Sequence, residues 1–139
     1  MKNSLAQLIA PFKTEKITEE RKKDFLPLIE YINKKRAKNE RVQLNFICTH
    51  NSRRSQLSQL WATVLGHYHK LALSTYSGGV EITACNERVI TALRTQGFTV
   101  NQTGAAENPL YTISWGEVSF GAYFSKLYND SSSPTQDFA

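Results

Sequence analysis

The chain has 139 residues, of which 40% are hydrophobic and 21% charged, and its net charge is +5. This content suits a single domain, 1–139, with one core, and the lack of any apolar run near the roughly 20 residues of a membrane-spanning helix argues against membrane contact. No signal peptide is evident, and the two cysteines form neither a disulfide framework nor a zinc pattern, which predicts a cytoplasmic protein without a metal.

Residues 1–41 are expected to form a helical N-terminal extension. Apolar residues recur at helical spacing up to Pro11, and Thr18 can cap a second helix with its own apolar stripe. Pro27 interrupts that stripe, and the sequence leaves open whether it kinks the helix or marks the first turn of a shorter one.

Much of the positive charge lies within this extension, in residues 21–23 and 34–41. No aromatic residues that could stack on bases are interleaved with it. The pattern is typical of the solvated face of a lysine-rich helix and the linker after it, so nucleic-acid binding is the least favoured function.

Residues 42–139 are expected to form an α/β core in which strands and helices alternate. The predicted elements are strand 42–48 (VQLNFIC), a helix over 57–65 stopped by Gly66, strand 71–77 ended by Gly78 and Gly79, and a helix around 89–93 closed by Gly97. Strand, helix and strand joined over about 30 residues form a right-handed crossover, so the two strands should be parallel neighbours in a layered sheet.

The remaining segments are less regular. Residues 110–116 and 118–124 are candidates for further strands, with a hairpin as one arrangement of the two, and 131–136 is expected to be loop. Strand 42–48 is apolar on both faces and should have a partner on each side. Its second edge is expected to be covered by 110–116, by another molecule as in a homodimer, or by a lost C-terminal strand.

The segment CTHNSRRS at 48–55 links the carboxyl end of a predicted parallel strand to a helix start. Main-chain N–H groups and the helix dipole converge at such a junction and bind anions. A phosphate-, arsenate- or sulfate-like oxyanion is therefore the expected partner, held in a nest of donors. The predicted oxyanion-binding loop consists of Thr49, His50, Asn51, Ser52, Arg53 and Arg54.

Cys48 is the predicted nucleophile, since the same amides, dipole and guanidinium would stabilise its thiolate. Arg54 can clamp two oxygens of the anion. Ser55 can donate a hydrogen bond to the sulfur, and Asn51 can tie the loop to itself in a turn that Asn tolerates. The competing interpretation is that Cys48 is a small apolar residue at the end of a buried strand. The surrounding strand, polar loop and helix favour the catalytic interpretation.

The run CTHNSRRSQLSQLWA resembles the phosphate-binding loop and first helix of the low-molecular-weight protein tyrosine phosphatases and of arsenate reductases with the same fold. Cys48, Asn51, Arg54 and Ser55 meet the pattern C-x-x-N-x-x-R-S, and the resemblance covers 42–103. It implies a three-layer, flavodoxin-like parallel sheet with flanking helices. It also implies that Cys48 attacks phosphorus or arsenic while Arg54 stabilises the transition state.

Within this family, His50, Gln56 and residues 101–103 (NQT) are more similar to arsenate reductases than to phosphatases. Position 50 is one where a positive φ could be needed, which His adopts more readily than most residues. The leading prediction is an arsenate-reductase-like enzyme that needs no cofactor but an external reductant, of thioredoxin type or a small thiol. The alternatives are a phosphotyrosine phosphatase and an oxyanion-binding remnant without turnover.

Two features depart from the family pattern. The family's general acid is an Asp followed by Pro, whereas Asp130 and Asp137 are followed by Ser and Phe. Cys85 alone does not supply the relay pair of thioredoxin-coupled reductases, and a structural role is favoured for it. Because the family pattern continues with another core strand, the chain is also expected to be truncated at its C-terminus.

Overall fold

The computed structural model describes residues 4–139, so the first three residues of the predicted extension lie outside the described part. The elements in chain order are α1 Leu5–Ile9, a short 3-10 turn Thr14–Lys16, α2 Glu19–Ala37, β1 Val42–Cys48, α3 Arg54–Tyr68, β2 Leu73–Gly79, α4 Glu87–Gln96, β3 Thr99–Thr103, β4 Leu110–Trp115 and β5 Val118–Tyr123. The chain is α/β, as predicted. In the described range no helix combines the length and apolar character needed to cross a membrane.

The strands form two separate sheets. β1 and β2 pair in parallel, and α3 connects them in the chain, which confirms the predicted crossover unit. β3, β4 and β5 form an antiparallel sheet of their own, so the prediction of one parallel sheet is not met in the described residues. The β4–β5 hairpin was foreseen. The sequence reasoning missed β3, because Val100 is its only buried residue and no apolar alternation marks it.

The main core lies between the antiparallel sheet and helices α1, α3 and α4. Its buried members include Leu8, Ile9, Leu60, Val64, Val89, Ile90, Leu93, Phe98, Val100, Tyr111, Ile113, Phe120 and Tyr123. Leu8 and Ile9 come from α1, so this part of the predicted extension contributes to the core. Burying that many large apolar side chains is the dominant stabilising term in a domain of this size.

α2 begins where the sequence predicted it. The Thr18 side chain accepts a hydrogen bond from the main-chain N of Arg21 at 3.2 Å, as a helix cap should. The helix continues through Pro27, so the alternative of a shorter helix starting at Pro27 is wrong. The basic segment is also not solvated throughout. Lys35 is only 9% exposed, and its ammonium binds the carboxylates of Glu40 and Asp137.

Of the two predicted helix ends, the one at Gly97 is confirmed and the one at Gly66 is wrong. Gly97 does close α4, with a left-handed φ of 112°. Gly66, however, lies inside α3, which runs on to Tyr68, and the positive φ of 55° after it belongs to Lys70. Gly66 is small for a packing reason, because a Cβ there would lie 2.7 Å from Cδ2 of Leu73.

The outer edge of β1 is covered in a way that was not predicted. Residues 110–116 do not cover it, because they pair with β3 and β5 instead. The main chain of Ala139 bonds to this edge, accepting from Asn45 N at 2.8 Å and donating to Gln43 O at 3.0 Å. Further along the strand, Ile47 is 52% exposed. The edge is therefore covered in part by the chain's own residue 139.

Candidate active site

The candidate site lies where β1 ends and α3 begins. Cys48 is the last residue of β1, residues 49–53 form a loop, and Arg54 is the first residue of α3. Because Cys48 pairs with Gly79 of the parallel strand, the loop lies at the carboxyl edge of the sheet, where α/β folds bind ligands. A cavity of about 100 Å³ opens there, lined by Cys48, His50, Ser52, Arg53, Arg54 and Thr83.

Two predicted loop residues do not line this cavity. The carbonyl of Thr49 accepts main-chain hydrogen bonds from Val80 and Glu81 at 2.8 and 3.0 Å. Asn51 is fully buried beneath the loop. Both residues therefore hold the shape of the loop rather than face its contents. Thr83, which follows β2, is a wall residue that the sequence reasoning missed because no local motif marks it.

The sulfur of Cys48 lies among hydrogen-bond donors. Its side chain is half-buried, and the Ser55 Oγ is 2.9 Å from Sγ, as predicted. Burial raises the pKa of this thiol, but hydrogen bonds from the Ser55 hydroxyl and from the main chain of Ser55, Asn51 and Ser52 outweigh that effect and hold the pKa below its ordinary value. The site therefore favours a thiolate.

Asn51 carries the unusual backbone conformation of the loop. Its φ is 46°, in the left-handed region, which confirms the turn expected from an Asn at this position. The positive φ considered for His50 is wrong, since His50 is not among the residues with positive φ. Asn adopts this conformation more readily than His because its short amide can hydrogen-bond locally.

The side-chain amide of Asn51 joins four groups. Its Oδ1 accepts from the main-chain N of Lys126 at 3.0 Å and from Gln56 Nε2 at 3.1 Å. Its Nδ2 donates to the hydroxyls of Ser55 at 2.7 Å and Ser77 at 3.0 Å. Because a main-chain N–H can only donate, the bond from Lys126 fixes which end of the amide is oxygen.

This orientation leaves the Ser55 hydroxyl able to donate to the sulfur. Since Asn51 donates to the Ser55 oxygen, that oxygen is an acceptor in this contact and its own hydrogen is free to point elsewhere. Cys48 Sγ lies 2.9 Å from the Ser55 Oγ. When the sulfur is ionised it can only accept, so Ser55 is then the donor and stabilises the charged form.

The positive charges of the site are exposed. Arg53 and Arg54 both border the cavity, and within residues 4–139 neither guanidinium is held by another side chain. Both are therefore free to meet an anion. At the rim, the His50 Nε2 lies 3.1 Å from a carboxylate oxygen of Glu81, a pair that is charged on both sides only when His50 is protonated.

The segments that follow β2 and β5 hold the main chain of the loop. The carbonyl of Ser52 accepts from the Asn86 main-chain N at 2.9 Å. The carbonyl of His50 accepts from the hydroxyls of Ser125 at 2.8 Å and Thr83 at 3.3 Å. These contacts tie the main chain of the loop to neighbouring segments and so support its shape.

The sequence predicted that Gly78 and Gly79 lie just after β2 and stop it. In the structure they belong to β2 and are its last two residues. Both are glycines because main chain passes close to them. A Cβ on Gly78 would lie 2.2 Å from Tyr128 Cα, and one on Gly79 would lie 2.7 Å from the Thr49 carbonyl oxygen. The absent side chains allow the oxyanion loop to lie directly against β2.

Replacing Gly79 by alanine is expected to distort the loop. The new Cβ would also lie 2.8 Å from the main-chain N of Asn51, and backbone on both sides leaves little room to relax. We expect the free energy of unfolding to fall by about 1–3 kcal/mol and the alkylation rate of Cys48 to fall at least about 10-fold. Gly121→Ala is the matched control, because Gly121 has a φ of 95° but open space around it. It should lose stability without changing Cys48 reactivity, and a normal alkylation rate in Gly79→Ala would contradict the assignment.

The other acidic and thiol candidates lie away from the cavity lining. Asp130 binds the hydroxyl and main-chain N of Ser132, and Asp137 pairs with Lys35 near the amino end of β1. Cys85 is 3% exposed, and burial raises its pKa to about 11. This burial favours the structural role considered for Cys85.

Among the described residues, no group of three or more His, Cys, Asp or Glu side chains is placed to hold a metal ion. The side chains at the site supply a thiol, hydroxyl groups and two guanidinium groups. Comparisons with protein-family models, with curated proteins and with solved structures found no significant match.

Proposed function

We propose that the protein is a thiolate enzyme acting on a tetrahedral oxyanion, with arsenate as the substrate and arsenite as the product. One observation carries the proposal: a half-buried cysteine with a lowered pKa lies at the carboxyl end of β1, bonded by Ser55 and main-chain amides, with Arg54 beside it. In this proposal Cys48 is the nucleophile and Arg54 binds the anion. Ser55 and Asn51 support the thiolate.

The size and lining of the cavity favour a free inorganic oxyanion. The volume is about 100 Å³, which suits one tetrahedral anion. Its lining contains two arginines and hydroxyl groups, and no aromatic ring on which a tyrosyl group could stack. These features support our choice of arsenate rather than phosphotyrosine as the proposed substrate.

The proposed reaction balances with two external thiols. The Cys48 thiolate attacks arsenic, and one arsenate oxygen leaves as water after gaining protons. A first external thiol then attacks the Cys48 sulfur, the sulfur–arsenic bond breaks, and its electron pair stays with arsenic as arsenite leaves. A second thiol attacks the mixed disulfide and restores the Cys48 thiolate. The two thiols lose the two electrons that arsenic gains.

The reductant is expected to come from outside the chain. Cys85 is 3% exposed and its pKa is raised, so it is a poor resolving thiol. A thioredoxin-type protein or a small thiol would supply the electrons. A cytoplasmic location belongs to this proposal, because a reducing compartment keeps both cysteines free.

The proposal extends to the fold. β1, α3 and β2 would be the first crossover unit of a flavodoxin-like, three-layer sheet. Such a sheet needs a further parallel strand, or a second copy of the chain, along the outer edge of β1. The part of that edge where Ile47 is exposed is the place for it.

Phosphatase activity is the second candidate, and the missing acid weakens it. Ester cleavage without a positioned proton donor loses on the order of 10²–10⁴-fold in rate, and neither Asp130 nor Asp137 borders the cavity. If the missing acid prevents all turnover, the protein would be an oxyanion-binding module.

Two assays separate these functions. Arsenate consumption that requires an added thiol would support the reductase. Hydrolysis of an aryl phosphate without a thiol would instead support the phosphatase. Arsenate or phosphate binding with neither activity would identify the binding module, and failure to bind either anion would contradict the whole proposal.

Alkylation of the native protein tests the premise of all three functions. We expect iodoacetamide to modify Cys48 at pH values below about 8.5, the pKa of a free thiol, where a free thiol reacts slowly. Because the pKa of Cys48 is lowered, the alkylation rate of Cys48 should fall at a lower pH than the alkylation rate of a free thiol. Cys85 is an internal control, since its pKa of about 11 should leave it unmodified. Equal modification of both cysteines would contradict the proposed site.

A further inference from the structure

Lys126 is a buried cation next to the hydrogen-bond network of the site. It is 7% exposed, and it follows β5 in a segment that lies against β2. Its carbonyl accepts from Gly79 N at 2.9 Å, and Tyr128 N donates to the Gly79 carbonyl at 2.9 Å. Its main-chain N donates to Asn51 Oδ1. The main chain therefore fixes the position of Lys126 on both sides.

The ammonium of Lys126 has only neutral partners. Its Nζ donates to the Phe124 carbonyl at 3.3 Å and to the Ser77 Oγ at 3.5 Å, and lies 4.9 Å from the centre of the Phe124 ring. No carboxylate of the described residues forms an ion pair with it. The titratable groups that face it are Asp130 and Cys85. Burial lowers the pKa of Lys126, which Asp130 and Cys85 partly offset.

An unpaired charge at this depth is costly, and an apolar side chain of the same length would avoid that cost. A purely structural lysine would be expected to reach solvent or a carboxylate, as Lys35 does with Glu40 and Asp137. The ammonium of Lys126 points instead at Ser77, one step from the amide that orients the cysteine loop.

The hydrogen bonds beyond Ser77 all run in one direction. The Ser77 oxygen accepts from Lys126 Nζ and from Asn51 Nδ2, so its hydrogen goes to Gln59 Oε1 at 2.6 Å. Gln59 Nε2 donates to the carbonyl of Thr75 at 3.1 Å, which fixes the orientation of that amide. Asn51 cannot accept from Ser77, so its Nδ2 remains a donor to both serines.

We propose that Lys126 is a positioning residue for Cys48: its main-chain N–H and its buried ammonium orient the Asn51 network so that Ser55 donates to the sulfur, and its charge favours the thiolate. This inference rests on the proposed thiolate function. It assigns a role to a residue more than 70 positions away from the cysteine loop in sequence, as the separation of 75 between Lys126 and Asn51 indicates.

The test compares Lys126→Met with Lys35→Met. Both variants replace a buried lysine by an apolar side chain of similar length, but Lys35 lies near the amino end of β1, away from Cys48. The readout is the pH dependence of Cys48 alkylation, with folding checked by circular dichroism. Lys126→Met removes a positive charge and the hydrogen bond from Nζ to Ser77, which leads through Asn51 to Ser55. We expect Lys126→Met to raise the Cys48 pKa by about 0.5–1 unit, and Lys35→Met to leave it unchanged.

A second measurement avoids any change at Lys126. Coupling between two sites is reciprocal, so the thiolate must raise the Lys126 pKa by as much as Lys126 lowers that of Cys48. The ammonium resonance of Lys126, followed by NMR across pH, should show a pKa about 0.5–1 unit lower in Cys48→Ser than in the unmodified protein.

The outcomes separate this inference from the proposed function. An ordinary Cys48 pKa in the unmodified protein would contradict the function itself. A lowered Cys48 pKa that Lys126→Met leaves unchanged would overturn the role of Lys126 alone. If Lys126→Met does not fold, an unchanged Lys126 pKa in Cys48→Ser would overturn that role instead.

Discussion

Replacing Cys48 by serine is expected to abolish arsenate reduction, with a loss of about 10⁴-fold or more. Serine keeps the shape of the site, but its hydroxyl is a far weaker nucleophile than the thiolate that the loop stabilises. It also cannot form the disulfide through which the external thiol recovers the enzyme. Anion binding should survive, because the arginines and main-chain amides are unchanged. Thiol-dependent arsenate consumption and arsenate affinity measure the two effects.

Two variants serve as controls for this result. Arg54→Ala should lose both turnover and anion affinity, since Arg54 borders the cavity and its guanidinium is free to bind. Cys85→Ser should keep turnover, because Cys85 is 3% exposed and is not expected to relay electrons. Near-normal rates in Cys48→Ser would show that the nucleophile is another residue, and a selective loss in Cys85→Ser would show that Cys85 is a relay thiol.

Replacing Asn51 by alanine is expected to have the largest combined effect on stability and reactivity. The change removes four hydrogen bonds at a fully buried position and places alanine at a φ of 46°. We expect a loss of about 2–4 kcal/mol in the free energy of unfolding. The Cys48 pKa should rise, since nothing then orients Ser55. Urea unfolding and the pH dependence of alkylation measure the two effects.

Asn51→Asp removes the donor function of the amide and adds a negative charge at the same position. Aspartate tolerates the same backbone conformation and keeps an acceptor for the Lys126 N–H, but it cannot donate to Ser55 and Ser77 when ionised. Its negative charge also opposes the thiolate, so the Cys48 pKa should rise in this variant as well. A low Cys48 pKa in Asn51→Asp would contradict the orienting role of the amide.

The sequence predicted the unit that carries the site because its signals are local. Val42–Cys48 has the bounds assigned from its apolar run, and Asn51 and Ser55 lie beneath and beside the sulfur. Strand, loop and helix follow one another in the chain, so spacing alone places these residues together.

The features that the sequence did not reveal depend on distant segments. Gly78 and Gly79 look like a turn signal, but they are small because Tyr128 and Thr49 pass close to them. Lys126 has no local motif, yet its main chain fixes the Asn51 amide. The separate antiparallel sheet follows from pairing between β3, β4 and β5, which a strand prediction does not specify.

The contact between Lys126 and Asn51 has a consequence for the order of folding. It spans 75 positions, whereas β1, α3 and β2 are contiguous in the chain. Long loops close late, so the crossover unit can assemble before residue 126 arrives. Until then the Asn51 amide lacks one of its orienting partners. A ribosome-bound chain would therefore carry a less strongly activated sulfur until residue 126 has been synthesised and has packed against Asn51.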